Sequence, residues 1–273
     1  MKPVAFDYTR PASVAEAVRI LAMEPNAKVL AGGQTLGPML NLRLVRPTLL
    51  IDIARISELA AVGQDADGVT IGATVTHAAI EDGRVPDPTG GFLPRVARGI
   101  AYRAVRTRGT IGGSLAHADP AADWLTCLTA LGTQVMIAGV AGARSVRLAN
   151  FVRGAMETEL AASELLTGVR VPSCSRAARF GFHKICRKTG EFAQAIGVAV
   201  LDPERRRSLL ACSTALSAPI VLDAPDLAVG RGEPPSSADV QRRLVQRGLT
   251  GDAYDLKLHA VAVRRALLEA LGS

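Results

Sequence analysis

No stretch constrains the backbone as tightly as residues 109–123. Small or turn-forming residues crowd its start, at Gly109, Thr110, Gly112, Gly113 and Ser114. Such a run lets the backbone approach a ligand closely and point amides at it. Asp119-Pro120 follows, the preferred order for a helix cap and first turn. An apolar run with the only tryptophan, Trp124, comes next. A second glycine pair lies upstream, in Ala31-Gly32-Gly33-Gln34-Thr35. Two glycine-cradled turns suggest one extended ligand held at two places, and a dinucleotide is the simplest candidate.

The 273 residues suffice for one large domain or two ordinary ones, and 48% hydrophobic content allows a sizeable core. Aromatics are only 4%, so packing relies on Ala, Val, Leu and Ile. The net charge of +7 points to nucleic acid, an anionic cofactor or an acidic partner. Nucleic acid is disfavoured: the basic residues are mostly arginines on periodic helices, stacking aromatics are scarce, and no recognition motif is present. No segment reads as a membrane span or secretory leader, and a cytoplasmic location is expected. Cys127, Cys174, Cys186 and Cys212 form no close pair, and the four histidines lack a ligand spacing, so no metal site is expected in this chain.

Ser13 and Glu16 form a capping-box pattern ahead of apolar positions 14, 17, 18 and 21. The spacing predicts a strand over 28–31, the Gly-Gly turn, and a short helix from Leu36. A strand–turn–helix order suits a phosphate cradle, since free amides at a helix start favour an anion. The pattern is neither GxGxxG nor a P-loop. Alone, it reads equally as a plain structural turn. A strand over 49–53, a hairpin about 65–68 and a helix from Thr74 or Thr76 follow. Residues 82–91 read as a surface loop and 92–108 as one helix. The arginines at 95, 98, 103, 106 and 108 have no acid between them; they suit either a solvated face or an acidic partner or phosphate. A helix is expected from Asp119, placing Asp119 and Asp123 on one face. Strands are expected over 132–138 and 145–148, a turn at 150–152, and a strand over 164–171.

A boundary is expected at 172–175. Beyond it, strands over 178–185, 192–200 and 209–216, a Pro/Ser/Gly loop over 230–237, and helices over 238–246 and 255–271 make a small α+β domain. His117 reads as a ligand contact or a packing residue. Lys184, in an acid-free basic segment, reads as a neighbour of a phosphate or redox ring or as an exposed charge.

Three segments together resemble the FAD-binding medium subunit of the molybdenum hydroxylases, the xanthine dehydrogenase and carbon monoxide dehydrogenase family. They are residues 31–35, Leu42-Arg43-Leu44-Val45-Arg46-Pro47 with Asp52-Ile53, and residues 106–123. The resemblance extends through Lys184 to the ending Ala262-Val263-Arg264-Arg265-Ala266-Leu267. It implies an α+β chain: residues 1–174 as a two-lobed FAD domain of the vanillyl-alcohol-oxidase type, and 175–273 as a C-terminal α+β domain with an antiparallel sheet. Ala31, Gly32, Gly33, Gln34 and Thr35, with Leu36, would cradle the pyrophosphate. Thr110, Ile111, Gly112, Gly113 and Ser114 would form a second clamp. Ile100, Asp119, Asp123, Leu166 and Lys184 complete the implied FAD-binding set, Lys184 beside the isoalloxazine.

The resemblance implies no substrate chemistry in this chain. A large subunit would hold molybdopterin and a small subunit two [2Fe-2S] clusters, as a dimer of heterotrimers. Electrons would pass through the clusters to FAD and on to an external acceptor. Thr35 stands where Ser is usual, Glu191 where Asp is common, and Tyr254-Asp255 where Tyr-Arg is usual. Two other readings compete: a flavin-free structural or assembly relative, and a stand-alone FAD oxidase. Intact glycine pairs argue against the first, and no feature demands the second.

Overall fold

The computed structural model describes residues 2–214, 217–223 and 234–272. The chain opens with β1 (Asp7–Thr9), α1 (Val14–Met23), β2 (Ala27–Leu30), α2 (Leu36–Asn41) and β3 (Leu49–Asp52). Ser13 Oγ accepts from the Glu16 amide, and Glu16 accepts in return from the Ala12 amide. This capped start turns Ala17, Val18 and Leu21 inward. Strands β1 and β2 both pair parallel to β3. The 31–35 turn therefore leaves the carboxyl end of a parallel strand, a common place for ligands in open sheets.

Next come α3 (Ser57–Ala60), β4 (Val62–Asp65), β5 (Gly68–Gly72), α4 (His77–Glu81), α5 (Phe92–Arg98), α6 (Arg103–Arg106), α7 (Ile111–His117) and α8 (Asp123–Ala130). They are followed by β6 (Gln134–Gly139), β7 (Gly142–Arg147), α9 (Leu148–Phe151), β8 (Val152–Gly154), β9 (Glu157–Thr158) and β10 (Leu165–Pro172). An antiparallel sheet runs β4-β5-β10-β6-β7. The register of β10 against β6 shifts between Leu166 and Gly168. Leu165 and Leu166, just before that bulge, are both buried.

Three expectations here need correction. The helix expected over 92–108 is two helices. Buried Arg106 donates to the carbonyls of Ile100 and Ala101 and to Glu81, and Ala101 takes a positive φ of 43°. The glycine stretch is itself helical: Thr110 caps α7, its Oγ1 accepting from Gly113. The next helix consequently starts at Asp123, not Asp119, whose carboxylate accepts from the Ala121 amide in a local turn. Asp119 and Asp123 share no helix face. Residues 148–151 form α9, which takes in Asn150 and Phe151 of the turn expected over 150–152.

The remainder forms β11 (Arg179–Ile185), β12 (Ala195–Asp202), β13 (Arg207–Cys212), β14 (Ile220–Asp223), α10 (Ser237–Gln246) and α11 (Ala253–Leu271). The described strands make a four-stranded antiparallel sheet, one strand more than expected. The expected loop over 230–237 falls partly, and the end of the strand expected over 209–216 wholly, outside the described residues. Strand β12 is buried on both faces. Ile196, Val198 and Val200 join the core around Trp124 of α8, while Ala199 faces the cluster of α10 and α11. This explains its unbroken apolar run. Every residue of α8 is buried, so it ties this sheet to the rest of the molecule. Phe92 stacks on Phe180 with centroids 4.8 Å apart, and Arg95 pairs with Glu269, reinforcing the same junction.

Candidate functional site

A cleft of about 550 Å³ lies where α2, α7, the 99–102 break and the β11–β12 end converge. Its size falls in the range of small-molecule and cofactor sites, roughly 300–1,000 Å³. Ala31, Gly32, Gly33, Gln34, Thr35 and Leu36 line it, as do Ile100, Thr110, Gly112, Gly113, Ser114, Asp119, Asp123, Leu166 and Lys184. Ile111 does not. Its side chain is fully buried in the core on the other side of α7.

The turn after β2 is open. Among the described residues, the amides of Gly33, Gln34, Thr35 and Leu36 donate no hydrogen bond. Gly33 has φ 71°, which an L-residue adopts only under strain. The Thr35 side chain caps nothing, which leaves its hydroxyl available to the cleft. Gly32 has no room for a side chain: a Cβ there would lie 2.0 Å from the Arg108 carbonyl oxygen.

The second glycine motif is closed. Ile111 donates to Val75, Gly112 to Ala73, Gly113 to Thr110 Oγ1 and Ser114 to the Thr110 carbonyl. Gly112 packs flush on Ala73, and Gly109 on the His77 ring. This motif presents a smooth side-chain-free wall and the Ser114 side chain, not free amides.

Lys184 of β11 and Asp123 at the start of α8 meet at the cleft wall. Nζ donates to Asp123 Oδ2 at 3.0 Å and to the Gly99 carbonyl at 3.4 Å. The side chains are only 11% and 6% exposed, which excludes the exposed-charge reading of Lys184. Burial raises the Asp123 pKa, and the Lys184 ammonium opposes that shift. Asp123 Oδ1 is buried and also lies 3.0 Å from the ammonium, so both carboxylate oxygens contact Lys184. A buried carboxylate is costly unless paired, and Lys184 supplies that pairing at the cleft.

Of the arginines over 95–108, Arg95, Arg103 and Arg106 are paired, while Arg98 and Arg108 are exposed. Arg106 pairs with Glu81 at 2.7 Å and holds its carboxyl below the usual range, and Arg103 pairs with Glu81 and Asp82. These acids come from α4 and its end, so the pairing is invisible along the chain. The Arg106 bonds also pin the break that delivers Ile100 to the cleft. Glu191 answers Arg187 and Lys188 at 3.4 Å each on the cleft rim. Asp255 lies away from the cleft in the first turn of α11, where a carboxylate suits the helix dipole.

Sequence reasoning missed two parts of this site. The wall over 158–166 is set by Arg144, which grips Glu164 through two bonds of 2.8 Å and Glu159 through another. His77 borders the cleft and accepts from the Trp124 indole at 3.0 Å through Nδ1. Burial, with Arg106 nearby, lowers its pKa to about 4. No local pattern marks either residue. His117, left open by the sequence, does line the cleft.

Among the described residues no helix is long and apolar enough to cross a membrane, and no cluster of potential metal ligands occurs. A protein-family model described as "FAD binding domain in molybdopterin dehydrogenase" matches residues 4–174. Caffeine dehydrogenase subunit beta of Pseudomonas sp. (strain CBB1) is 36% identical over 209 residues, covering 76% of this chain and 71% of that one. The solved carbon monoxide dehydrogenase from Hydrogenophaga pseudoflava, lacking the Mo-pyranopterin moiety of its cofactor, contains a chain that superposes with a TM-score of 0.87 at 31% identity. It is covered to 99%, and this chain to 100%. A chain of quinoline 2-oxidoreductase from Pseudomonas putida 86 gives a TM-score of 0.86 at 33% identity with the same coverage.

Proposed function

We infer function from a family premise: this chain belongs to the FAD-binding medium subunits of the molybdenum hydroxylases, the carbon monoxide dehydrogenase type. We propose that it is the electron-transfer subunit that receives electrons from a partner's [2Fe-2S] clusters. The acceptor beyond it is external. A molybdopterin-binding large subunit and a [2Fe-2S] small subunit are the proposed partners, as a dimer of cytoplasmic heterotrimers. A division into a two-lobed FAD domain of the vanillyl-alcohol-oxidase type over 1–174 and a C-terminal domain over 175–273 is part of the same reading.

The residues fit FAD. The unspent amides of residues 33–36 and the Thr35 hydroxyl are donors for a pyrophosphate. Gly112 and Gly113 leave the opposite wall flat enough for a nucleotide to lie against it. Asp123 offers a carboxyl group at the cleft with the Lys184 ammonium 3.0 Å from it. Ile100 and Leu166 contribute apolar surface at the cleft. When bound, FAD supplies one- and two-electron exchange, while the protein supplies position and electrostatics.

The observation that carries this reading is the open amide turn facing a buried Lys184–Asp123 pair across one cleft. The test is an absorption spectrum of the purified protein with whatever co-purifies, followed by flavin, metal and subunit analysis. One FAD per chain, with iron and molybdenum in two partner subunits, is expected. A colourless chain that takes up no added FAD overturns the cofactor assignment. Flavin reduction by an organic substrate with this chain alone overturns the electron-transfer role in favour of a stand-alone oxidase.

A further inference from the structure

We propose that His77 is a further ligand-binding residue, donating from Nε2 to an oxygen of the dinucleotide in the cleft and held in that tautomer by Trp124; this rests on the FAD reading above. An indole nitrogen can only donate, so the 3.0 Å bond from Trp124 Nε1 requires a lone pair on His77 Nδ1. A neutral imidazole carries one ring proton, which must then sit on Nε2. The ring is neutral at physiological pH, with burial and Arg106 both opposing a second proton. Arg106 does not compete for the ligand, because its guanidinium is committed to Glu81 and to the Ile100 and Ala101 carbonyls.

Geometry places the free edge of the ring at the cleft. His77 is 5% exposed, yet it lines the cavity. Its Nε2 has no partner among the described residues, while Nδ1 points into the core at Trp124. The Nε2–Cδ2 edge lies against Gly109: a Cβ on that glycine would sit 3.0 Å from Nε2 and 2.9 Å from Cδ2. Glycine at 109 therefore leaves room for the ring edge at the cleft wall. The backbone beneath is fixed, since the His77 amide donates to the Gly109 carbonyl at 2.9 Å and Thr76 caps α4. An imidazole N–H at the cavity wall with no acceptor among the described residues suits a ligand oxygen.

The test uses the full chain stripped of flavin. FAD is titrated into wild type, His77→Phe and His77→Gln, followed by flavin fluorescence. His77→Gln keeps an amide oxygen that can accept from Trp124 and an amide N–H that can replace the Nε2 donor, whereas His77→Phe keeps neither, and the tautomer measurement below separates the donor from the Trp124 contact. His77→Phe is expected to weaken FAD binding about tenfold, and His77→Gln to stay within about threefold of wild type. Equal affinity of the Phe and Gln variants overturns the proposal. A second measurement needs no variant: histidine ¹⁵N spectra of the wild type should show an Nε2–H tautomer whose Nε2 resonance shifts on adding FAD. A Nδ1–H tautomer, or an Nε2 resonance unmoved by saturating FAD, overturns it. Wild type that takes up no FAD defeats the parent reading as well, and is distinguished by its flat titration.

Discussion

The two glycine motifs look alike in sequence and differ in what they do with their amides. In the 31–35 turn, four consecutive amides from Gly33 to Leu36 have no partner among the described residues, and Gly33 sits at positive φ. In the 109–114 motif every amide from Ile111 to Ser114 is used internally, and no glycine there needs a left-handed backbone. The first motif is a donor surface. The second is a packing joint, in which glycine is required because Ala73 and His77 occupy the places of its side chains. A Gly-Gly pair thus becomes a cradle or a joint depending on where its N–H groups go. Gly32 couples the two by resting on the Arg108 carbonyl.

The largest expected effect lies in the joint. A side chain at 112 would begin 2.5 Å from the Ala73 Cβ and 2.7 Å from its Cα and carbonyl oxygen. Gly112→Val should lower unfolding free energy by about 3 kcal/mol, read from urea midpoints, with FAD binding lost as a consequence. A variant as stable as wild type would break the distinction between joint and cradle.

Acid should act on the same joint through His77. Its folded pKa of about 4 lies below the ordinary value of 6.5. Between these values the unfolded chain binds the proton better, so stability falls as pH drops from 6.5 to 4 and the loss is complete below 4. Up to about 3 kcal/mol rides on this group. The stability difference between pH 7.5 and pH 4 should therefore be smaller in His77→Phe than in wild type. Equal pH dependence would mean that His77 is not held neutral.

The smallest stability effect belongs to the cradle. At Gly33 a Cβ meets only the Leu30 Cδ1 at 3.1 Å, and the cost is mainly the left-handed backbone. Gly33→Ala should cost about 1–2 kcal/mol while weakening FAD binding more than tenfold, because the amides reorient. Unchanged flavin affinity in a folded Gly33→Ala protein would remove the cradle from the site.

Much of the molecule was legible along the chain. The Ser13 cap, the hairpin about 65–68 and the apolar stripe of α11 are local patterns, and the structure follows them. So does the convergence of both glycine motifs on one cleft, with Ile111 the exception: a helical turn rotates it into the core, which a reading of the motif as a loop cannot foresee. The break at 99–102 was missed because its cause, Arg106 bonded to Glu81, spans twenty-five residues.

What the sequence determined by itself is therefore the set of backbone-dictated choices: caps, turns, periodic faces and the positions where only glycine fits. These depend on neighbours within a few residues. Tertiary structure alone decided which charges meet and which donors stay free. Lys184 finds Asp123 across sixty-one positions, and His77 accepts from Trp124 across forty-seven. Burial then converts those meetings into a neutral histidine and a desolvated ion pair, because desolvation acts only once the chain has closed around them.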